Sequence, residues 1–283
     1  RRQRAQWERD ALAELRNGDV DAAFAAYRDN DRVVTAPTAI DVRRTMVADW
    51  WSHLVAGDTV TMTAYRREDV DDLNGRARAY LNRAGALTGP ELVIDDRPFQ
   101  AGDQIVCLRN DRRLGIHNGT RATIPAVDPG RRTSTITADD RRILLPAHYV
   151  DDGHIAHGYA TTIHKTQGAT IDRGLVLGTD ALFRERGYVA LSRGRLSNHL
   201  YLVGVTDHDD TTGHGPPVPG GNPADVVHAA LHRQGGKQLA IDTGEPLAFW
   251  PLEDLVTEHH RLTDVLAACP TDTSVDITAL TTR

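Results

Sequence analysis

Between Gly158 and Arg195 the chain reads GYATTIHKTQGATIDRGLVLGTDALFRERGYVALSRGR. The apolar run from Gly174 to Gly178 is short and bounded by glycines, which favours a buried strand. The residues before it carry hydroxyl, imidazole, ammonium and amide groups, the usual donors to phosphate and sugar oxygens. This composition is too polar for a core helix. It leaves two interpretations open, a ligand-binding segment and a solvated helix start.

The second half of this stretch narrows the choice. Residues Tyr188 to Leu191 form an apolar helical face that ends in Ser192-Arg193-Gly194-Arg195. An arginine held at the edge of a packed element presents a fixed guanidinium to a phosphate. A single surface arginine is usually only solvated, so the interpretation depends on both halves together.

Together the two halves resemble a known family. HGYATTIHKTQGATID is similar to motif V, and GYVALSRGR to motif VI, of superfamily 1 DNA helicases. The resemblance is strongest to the RecD-like helicase half of conjugative relaxases of the TraA and TrwC kind. Two motifs in the right order, with an apolar strand between them, make this a specific signal.

The resemblance implies roles for individual residues. It makes Arg193 an arginine finger and, through an Arg-Gln pair similar to motif IV, makes Arg2 its companion at the nucleotide, with Arg1 and Arg4 as alternatives. Further residues would contact the nucleotide or single-stranded DNA: Gln167, Gly168 and Thr170 for the nucleotide, and Thr161, Thr162, His164, Lys165, Thr63 and Asn74 for DNA. Lys165 suits either ligand. Thr170 stands where the family often has an acid for the ribose, which leaves nucleotide choice open. For Thr63 and Asn74 a helix cap and a solvated amide are the alternatives.

Upstream, the pattern alternates between strand and helix. We expect a helix containing Trp7 to Leu15, strands at 32–36 and 60–65, and helices at 38–56 and 67–86, with Thr38 as a cap. This alternation predicts an α/β fold with a parallel sheet. The resemblance identifies it as the second RecA-like domain of a helicase.

From about residue 92 to 150 the segments become short, β-rich and separated by Gly, Asn-Gly and Asp-Pro-Gly turns. They predict a small barrel, which resembles the SH3-like insertion of RecD-type helicases. Its paired arginines either line a single-strand channel or keep the barrel soluble. We therefore expect a discontinuous RecA-like domain (1–94 and 151–206), an SH3-like β insertion (95–150), a linker (207–224) and an acidic helical tail (225–283). The RecA-like domain should end with a core strand at 198–205, and the tail should contain helices at 225–234 and 252–268.

Charge and composition constrain the partners. Residues 206–283 carry 12 acidic and 4 basic side chains, whereas residues 1–205 carry 27 and 29, so the body is mildly basic and permits DNA binding. No run approaches the length of a membrane span, and two cysteines do not suggest a disulfide framework. We expect a cytoplasmic protein. His208 and His214 lack enough neighbouring ligands, so we expect no metal site.

The sequence contains no GxxxxGK[ST] loop, and no strand ends in an acid pair suited to magnesium. In the family both features belong to an N-terminal RecA-like domain. We therefore expect a fragment that is inactive alone, with ATP and Mg²⁺ held mainly by the missing N-terminal RecA-like domain. The expected function is the C-terminal part of an ATP-dependent 5′-to-3′ DNA helicase of a conjugative relaxase. The alternatives are a non-hydrolysing single-stranded-DNA-binding or partner-docking remnant and an RNA helicase. No relaxase nucleophile is arranged here.

Overall fold

A computed structural model of the chain describes residues 3–166, 171–203 and 223–233, all within a first unit of residues 1–235. The helices described are α1 (Gln6–Asn17), α2 (Val20–Asp29), α3 (Ala39–Val55), α4 (Arg67–Arg83), α5 (Ala147–Asp151), α6 (Arg184–Leu191) and α7 (Pro223–His232), with a 3-10 helix at Ile163–Thr166. The strands are β1 (Val33–Ala36), β2 (Val60–Ala64), β3 (Thr88–Ile94), β4 (Arg97–Ala101), β5 (Gln104–Cys107), β6 (Arg121–Asp128), β7 (Thr133–Ala138), β8 (Arg141–Leu145), β9 (Ile155–His157), β10 (Ala160–Thr162), β11 (Ile171–Gly178) and β12 (Gly194–Val203).

The central sheet has five strands in the order β1-β12-β11-β2-β10, and every pairing is parallel. The predicted α/β fold with a parallel sheet is confirmed. The strands β10 and β11 lie on opposite sides of β2, yet only the eight residues 163–170 separate them in sequence. A parallel crossover usually takes a dozen residues or more, so this connection is unusually short.

Side chains of the sheet alternate between two helical layers. Val176, Leu200 and Leu202 join a core with residues of α1, α2, α6 and α7. Leu175, Leu177 and Tyr201, one position away, join a second core with residues of α3 and α4. Successive side chains of a strand point to opposite faces, so the near-continuous apolar run of β11 fits a strand covered on both faces.

The β-rich segment, which lies between α4 and β10 in sequence, forms a unit with its own hydrophobic core. It contains an antiparallel pair, β3-β4, and a five-stranded antiparallel sheet in the order β8-β7-β6-β5-β9. The strands extend past both expected boundaries, because β3 begins at Thr88 and β9, at Ile155–His157, pairs with β5. Assignment of this unit to the SH3-like class stays a prediction.

The early elements agree closely with expectation, including the hydrogen bond from the Asp41 amide to the Thr38 hydroxyl at the start of α3. The helix α2 was not predicted. Gly18 ends α1 in a left-handed conformation, and Asp19 immediately caps α2 by accepting from the Ala22 amide. The helix expected from Asp225 is present as α7.

The remaining expectations concern the last strand of the sheet, a helix in the tail and membrane-spanning helices. The strand expected at 198–205 begins earlier, at Gly194. A helix expected at 252–268 lies outside the described residues. No described helix has the length and apolar character that a membrane span needs.

Candidate functional site

The site predicted from sequence is divided between the two edges of the parallel sheet. At the carboxyl edge, β10 ends at Thr162, which pairs with Ala64 at the end of β2. At the amino edge, Ile171 at the start of β11 pairs with Gly194 at the start of β12. The motif VI arginine directly precedes Gly194. Residues 163–170 therefore connect the edge that carries the predicted DNA contacts to the edge that carries Arg193.

The backbone around Arg193 is fixed by hydrogen bonds to distant segments. The carbonyl oxygens of Ser192 and Gly194 both accept from Gln3 Nε2, at 2.9 and 3.3 Å. The Arg193 carbonyl accepts from the Ile171 amide at 3.4 Å, and the Arg195 carbonyl accepts from the Arg4 amide at 2.8 Å. Four consecutive carbonyl groups are thus bonded, which holds this turn in one conformation.

Gln3 belongs to the Arg2-Gln3 pair that resembles motif IV. Its side chain is buried, and its amide joins the N-terminal segment to the turn at 192–195. The N-terminal segment therefore lies against the motif VI turn. Arg2 itself lies outside the described residues, so its role as a companion of Arg193 stays a prediction.

The Arg193 side chain is buried against the end of α6, with 9% of its surface exposed. Its Nε donates to the Val189 carbonyl at 2.7 Å, and an Nη donates to Ser192 Oγ at 2.8 Å. Both named acceptors are neutral. A phosphate oxygen carries a negative charge that these two acceptors lack, so it would bind the guanidinium more strongly than either of them.

A buried polar network supports the turn from the side of α1. Asn198 accepts from the Gly194 amide at 2.7 Å and donates to the Gly194 carbonyl at 3.0 Å. Glu8, which is fully buried on α1, accepts from both the backbone and the side-chain amide of Asn198, each at 2.9 Å. Burial raises the pKa of Glu8, and the bonds from Asn198 oppose that rise.

Asp172 links β11 to its neighbours at the same edge. Its carboxylate accepts from the Thr59 amide at 3.0 Å, from the Thr59 hydroxyl at 2.8 Å and from Arg195 Nε. The Thr59 amide, then Arg195 and the Thr59 hydroxyl, lower the pKa of Asp172 to about 2. The carboxylate is therefore ionised near neutral pH and already has its hydrogen-bond partners.

The predicted DNA contacts at the carboxyl edge differ in exposure. Thr161 is buried, Thr162 is half-buried and Lys165 is exposed. His164 lies in the 3-10 helix, but its side chain is outside the described part of the structure. Lys165 and Thr162 can reach a ligand in solvent without rearrangement. Thr161 is covered in this conformation.

Thr63 and Asn74 both make internal hydrogen bonds. Thr63 is buried in β2, and its hydroxyl donates to the Leu175 carbonyl at 3.2 Å. Asn74, buried on α4, accepts from the Ala160 amide at 2.8 Å and donates to the Ala160 carbonyl at 3.3 Å. Asn74 therefore holds the strand that carries Thr161 and Thr162, and it is neither exposed nor solvated.

A cleft of about 660 Å³ lies between α4 and the β-rich unit. Its lining includes the polar side chains of Asn74, Arg78, Arg97 and His157. Arg78 is paired with Glu91 at 3.2 Å, and Arg97 with Asp95 at 3.6 Å. The cleft therefore offers hydrogen-bond donors with little uncompensated positive charge.

The remaining predicted nucleotide contacts, Gln167, Gly168 and Thr170, lie outside the described residues. Sequence reasoning did not assign roles to Gln3, Glu8, Asn198 or Asp172, which together support the motif VI turn. One signal in the sequence could have indicated such a role. Glu8 is a charged residue at a position, between Trp7 and Ala11, that the helix periodicity predicts to be buried.

Comparisons with known proteins agree with the motifs. A search of protein-family models finds no match. The chain is 36% identical over 203 residues to a conjugal transfer protein TraA of Rhizobium radiobacter, an alignment that covers 71% of this chain and 18% of that protein. It is 35% identical over 120 residues to the ATP-dependent DNA helicase Pif1 of Bdellovibrio bacteriovorus, covering 38% of this chain and 27% of the helicase.

Among solved structures, a Bacteroides Pif1 bound to ssDNA is similar with a TM-score of 0.47 and 16% identity, covering 72% of this chain and 50% of that one. By contrast, the chain spans less than a fifth of the length of the TraA proteins that it matches. Over the aligned residues it is similar to a segment of the TraA conjugal transfer proteins and, over a shorter stretch, to a Pif1 helicase, and the resemblance drawn from its motifs is confirmed.

Proposed function

We propose that this chain is the C-terminal part of an ATP-dependent 5′-to-3′ DNA helicase of a conjugative relaxase, supplying the arginine finger and contacts to single-stranded DNA. The observation that carries the proposal is the fixed turn at 192–195, in which the four carbonyl groups are hydrogen-bonded and the Arg193 side chain lies against the end of α6. Relatedness to the TraA and Pif1 proteins supports it.

In this proposal Arg193 stabilises charge on the transferring phosphoryl oxygens. An arginine finger contributes about 10³–10⁵ in rate in other phosphoryl-transfer systems. The rigid backbone keeps the side chain close to its working position, which reduces the entropy lost on binding phosphate. The guanidinium leaves the Val189 carbonyl and Ser192 hydroxyl when a phosphate comes within reach.

The described residues fit a nucleotide only in part. Arg193 offers positive charge for ATP phosphates. Asp172 lies at the same edge, but its carboxylate already accepts hydrogen bonds from Thr59 and Arg195. It is therefore poorly suited to bind Mg²⁺. We infer that ATP and Mg²⁺ are held mainly by an N-terminal RecA-like domain, a partner that this chain would meet through its Arg193 edge.

At the other edge, Thr162 and Lys165 would bind the DNA backbone, with Asn74 fixing β10 beneath them. Binding through phosphates is tolerant of sequence, as expected of a translocating protein. We also propose that the β-rich unit is the SH3-like insertion of this helicase class. The cleft between that unit and α4 then lies beside the proposed DNA path.

The test measures DNA-stimulated ATP hydrolysis by the gene product that contains this chain. Arg193→Ala should lower kcat by about 10³-fold or more, while the Kd for single-stranded DNA changes by less than about threefold. Arg44→Ala, which removes an exposed arginine of α3 on the other face of the sheet, should leave both values unchanged. Retention of kcat by Arg193→Ala would refute the arginine-finger assignment.

The second candidate is a non-hydrolysing module that binds single-stranded DNA or docks a partner. It needs only the contacts at the carboxyl edge, where Lys165 is exposed and Thr162 is half-buried. Under this candidate the gene product binds DNA but has no ATP hydrolysis above background, and Arg193→Ala changes nothing. The same two measurements therefore separate the candidates.

A further inference from the structure

Two histidines of α7 and one carboxylate of α2 converge outside the helicase-like edges. His228 Nε2 lies 2.6 Å and His232 Nε2 lies 3.1 Å from the same atom, Asp21 Oδ1. One potential ligand atom from each of the three residues lies within 4.8 Å of the others. Two imidazole nitrogens and a carboxylate oxygen are the donor set of many zinc sites.

The two histidines are one helical turn apart and therefore lie on the same side of α7. Their rings lie 4.7 Å apart at 84°, and the ring of His228 also contacts Phe24 at 5.4 Å. The adjacent residues Val227 and Leu231 are buried in the core shared with α1, α2 and α6. Core packing therefore fixes the rotation of α7 and holds both imidazoles toward Asp21 before any ion binds.

The dimensions suit a small divalent ion. Zinc bonds to nitrogen and oxygen are about 2.0–2.2 Å long, so two ligands of a tetrahedral ion lie about 3.4 Å apart. The present separations from Asp21 to His228 and His232 are 2.6 and 3.1 Å, and rotations of these partly exposed side chains would open them. Side-chain exposures of 33% for His228, 46% for His232 and 74% for Asp21 leave room for water as a further ligand.

We propose that Asp21, His228 and His232 form a binding site for a divalent transition-metal ion of the zinc type. The ion joins α2 to α7, two elements whose ligands are up to 211 residues apart in sequence. This site does not depend on the proposed helicase function. Its effect is to fasten α7 to the core.

The experiment uses the full 283-residue chain without a histidine tag and titrates it with Co²⁺, whose visible absorption reports coordination directly. One Co²⁺ should bind per chain at this site, and Zn²⁺ should displace it. His232→Ala and Asp21→Asn should each weaken Co²⁺ binding by about tenfold or more. His148→Ala, which removes an exposed histidine of α5, is the matched control and should leave the affinity unchanged.

A second readout separates a metal site from a simple hydrogen-bonded cluster. Zn²⁺ should raise the Tm of the wild-type chain because it binds only the folded state, and it should raise the Tm of His232→Ala and Asp21→Asn much less. If the variants lower the Tm without metal but bind Co²⁺ as tightly as the wild type, the three side chains form only hydrogen bonds and the proposal is wrong. Asp21→Asn retains an acceptor for both histidines, so it decides the result if His232→Ala fails to fold.

Discussion

Gly194 is the residue whose replacement should most directly disturb the turn that carries Arg193. A β-carbon added there would lie 2.1 Å from the Ser197 carbonyl oxygen and 2.8 Å from the Gly174 amide nitrogen. Both neighbours are backbone atoms, which cannot move aside as a flexible side chain would. Gly194→Ala should therefore lower the free energy of unfolding by about 1–3 kcal/mol, the usual range for overpacking, measured by urea denaturation.

The matched control is Gly75→Ala in the middle of α4. No atom lies within 4 Å of the added β-carbon there, and the glycine has ordinary helical backbone angles. This substitution should raise the free energy of unfolding by about 0.5–1 kcal/mol because alanine is the better helix former. If both substitutions had the same effect, the close approach at Gly194 would not be the cause.

Asp172 should make stability depend on pH in the acid range. Its pKa falls to about 2 in the folded chain, mainly through the Thr59 amide and Arg195, from an ordinary value near 3.8. A lowered folded-state pKa contributes stability above the unfolded pKa, and that contribution is lost as the pH falls toward 2. Asp172→Asn should therefore cost about 1–2 kcal/mol at pH 7 and progressively less below pH 4. Urea denaturation from pH 7 to pH 3 measures this, and a constant difference would contradict the assignment.

At the scale of elements, the short edge strand β10 depends on Asn74. The Asn74 side chain bonds both backbone groups of Ala160 and so takes the place of a neighbouring strand along the free edge. Asn74→Ala leaves both groups without that partner, which should lower the free energy of unfolding by about 1–3 kcal/mol. Amide hydrogen exchange at Ala160 should accelerate more than at Leu175, in the centre of the sheet.

Asn74→Asp separates a structural role from direct contact with DNA. Aspartate keeps the acceptor for the Ala160 amide but sets a carboxylate oxygen against the Ala160 carbonyl, so exchange at Ala160 should be faster than in the wild type. If Asn74→Ala weakened DNA binding with no change in exchange at Ala160, Asn74 would act on DNA directly.

The helices and strands of the parallel sheet were largely predictable, because their apolar periodicity is local. The helix α2 was missed because its cap, Asp19, directly follows the glycine that ends α1, and the pair reads as a single helix end. The extent of the β-rich unit was also missed, since β9 joins it only through pairing with β5, which is distant in sequence.

The candidate site was predictable only where a motif marks it. The resemblance predicts that Arg193 contacts the nucleotide, but the partners that hold its turn come from α1, β11 and the N-terminal segment. Those contacts span up to 191 residues, and no local pattern encodes them. The cluster of Asp21, His228 and His232 could not be predicted for the same reason. The two histidines are close in sequence, but Asp21 is about 200 residues away from them.

At the scale of the whole molecule, charge is distributed unevenly along the chain. Residues 1–205 have a small excess of basic side chains, and residues 206–283 have 12 acidic against 4 basic. A mildly basic body gives weak general attraction to DNA, so binding should depend on a few local cations. Lys165 is the exposed cation of the segment that joins the two edges of the sheet.

The salt dependence of binding should therefore identify Lys165 as a backbone contact. Each phosphate contact adds about 0.7 to the slope of log Kobs against log salt for single strands. Lys165→Ala should reduce that slope by about 0.7, whereas Arg44→Ala, an equal loss of charge on an exposed part of α3, should leave it unchanged. Fluorescence anisotropy with a labelled oligonucleotide, between about 50 and 200 mM salt, gives both slopes. Equal reductions in the two variants would mean that general charge, and not a local contact at the carboxyl edge, attracts DNA to this chain.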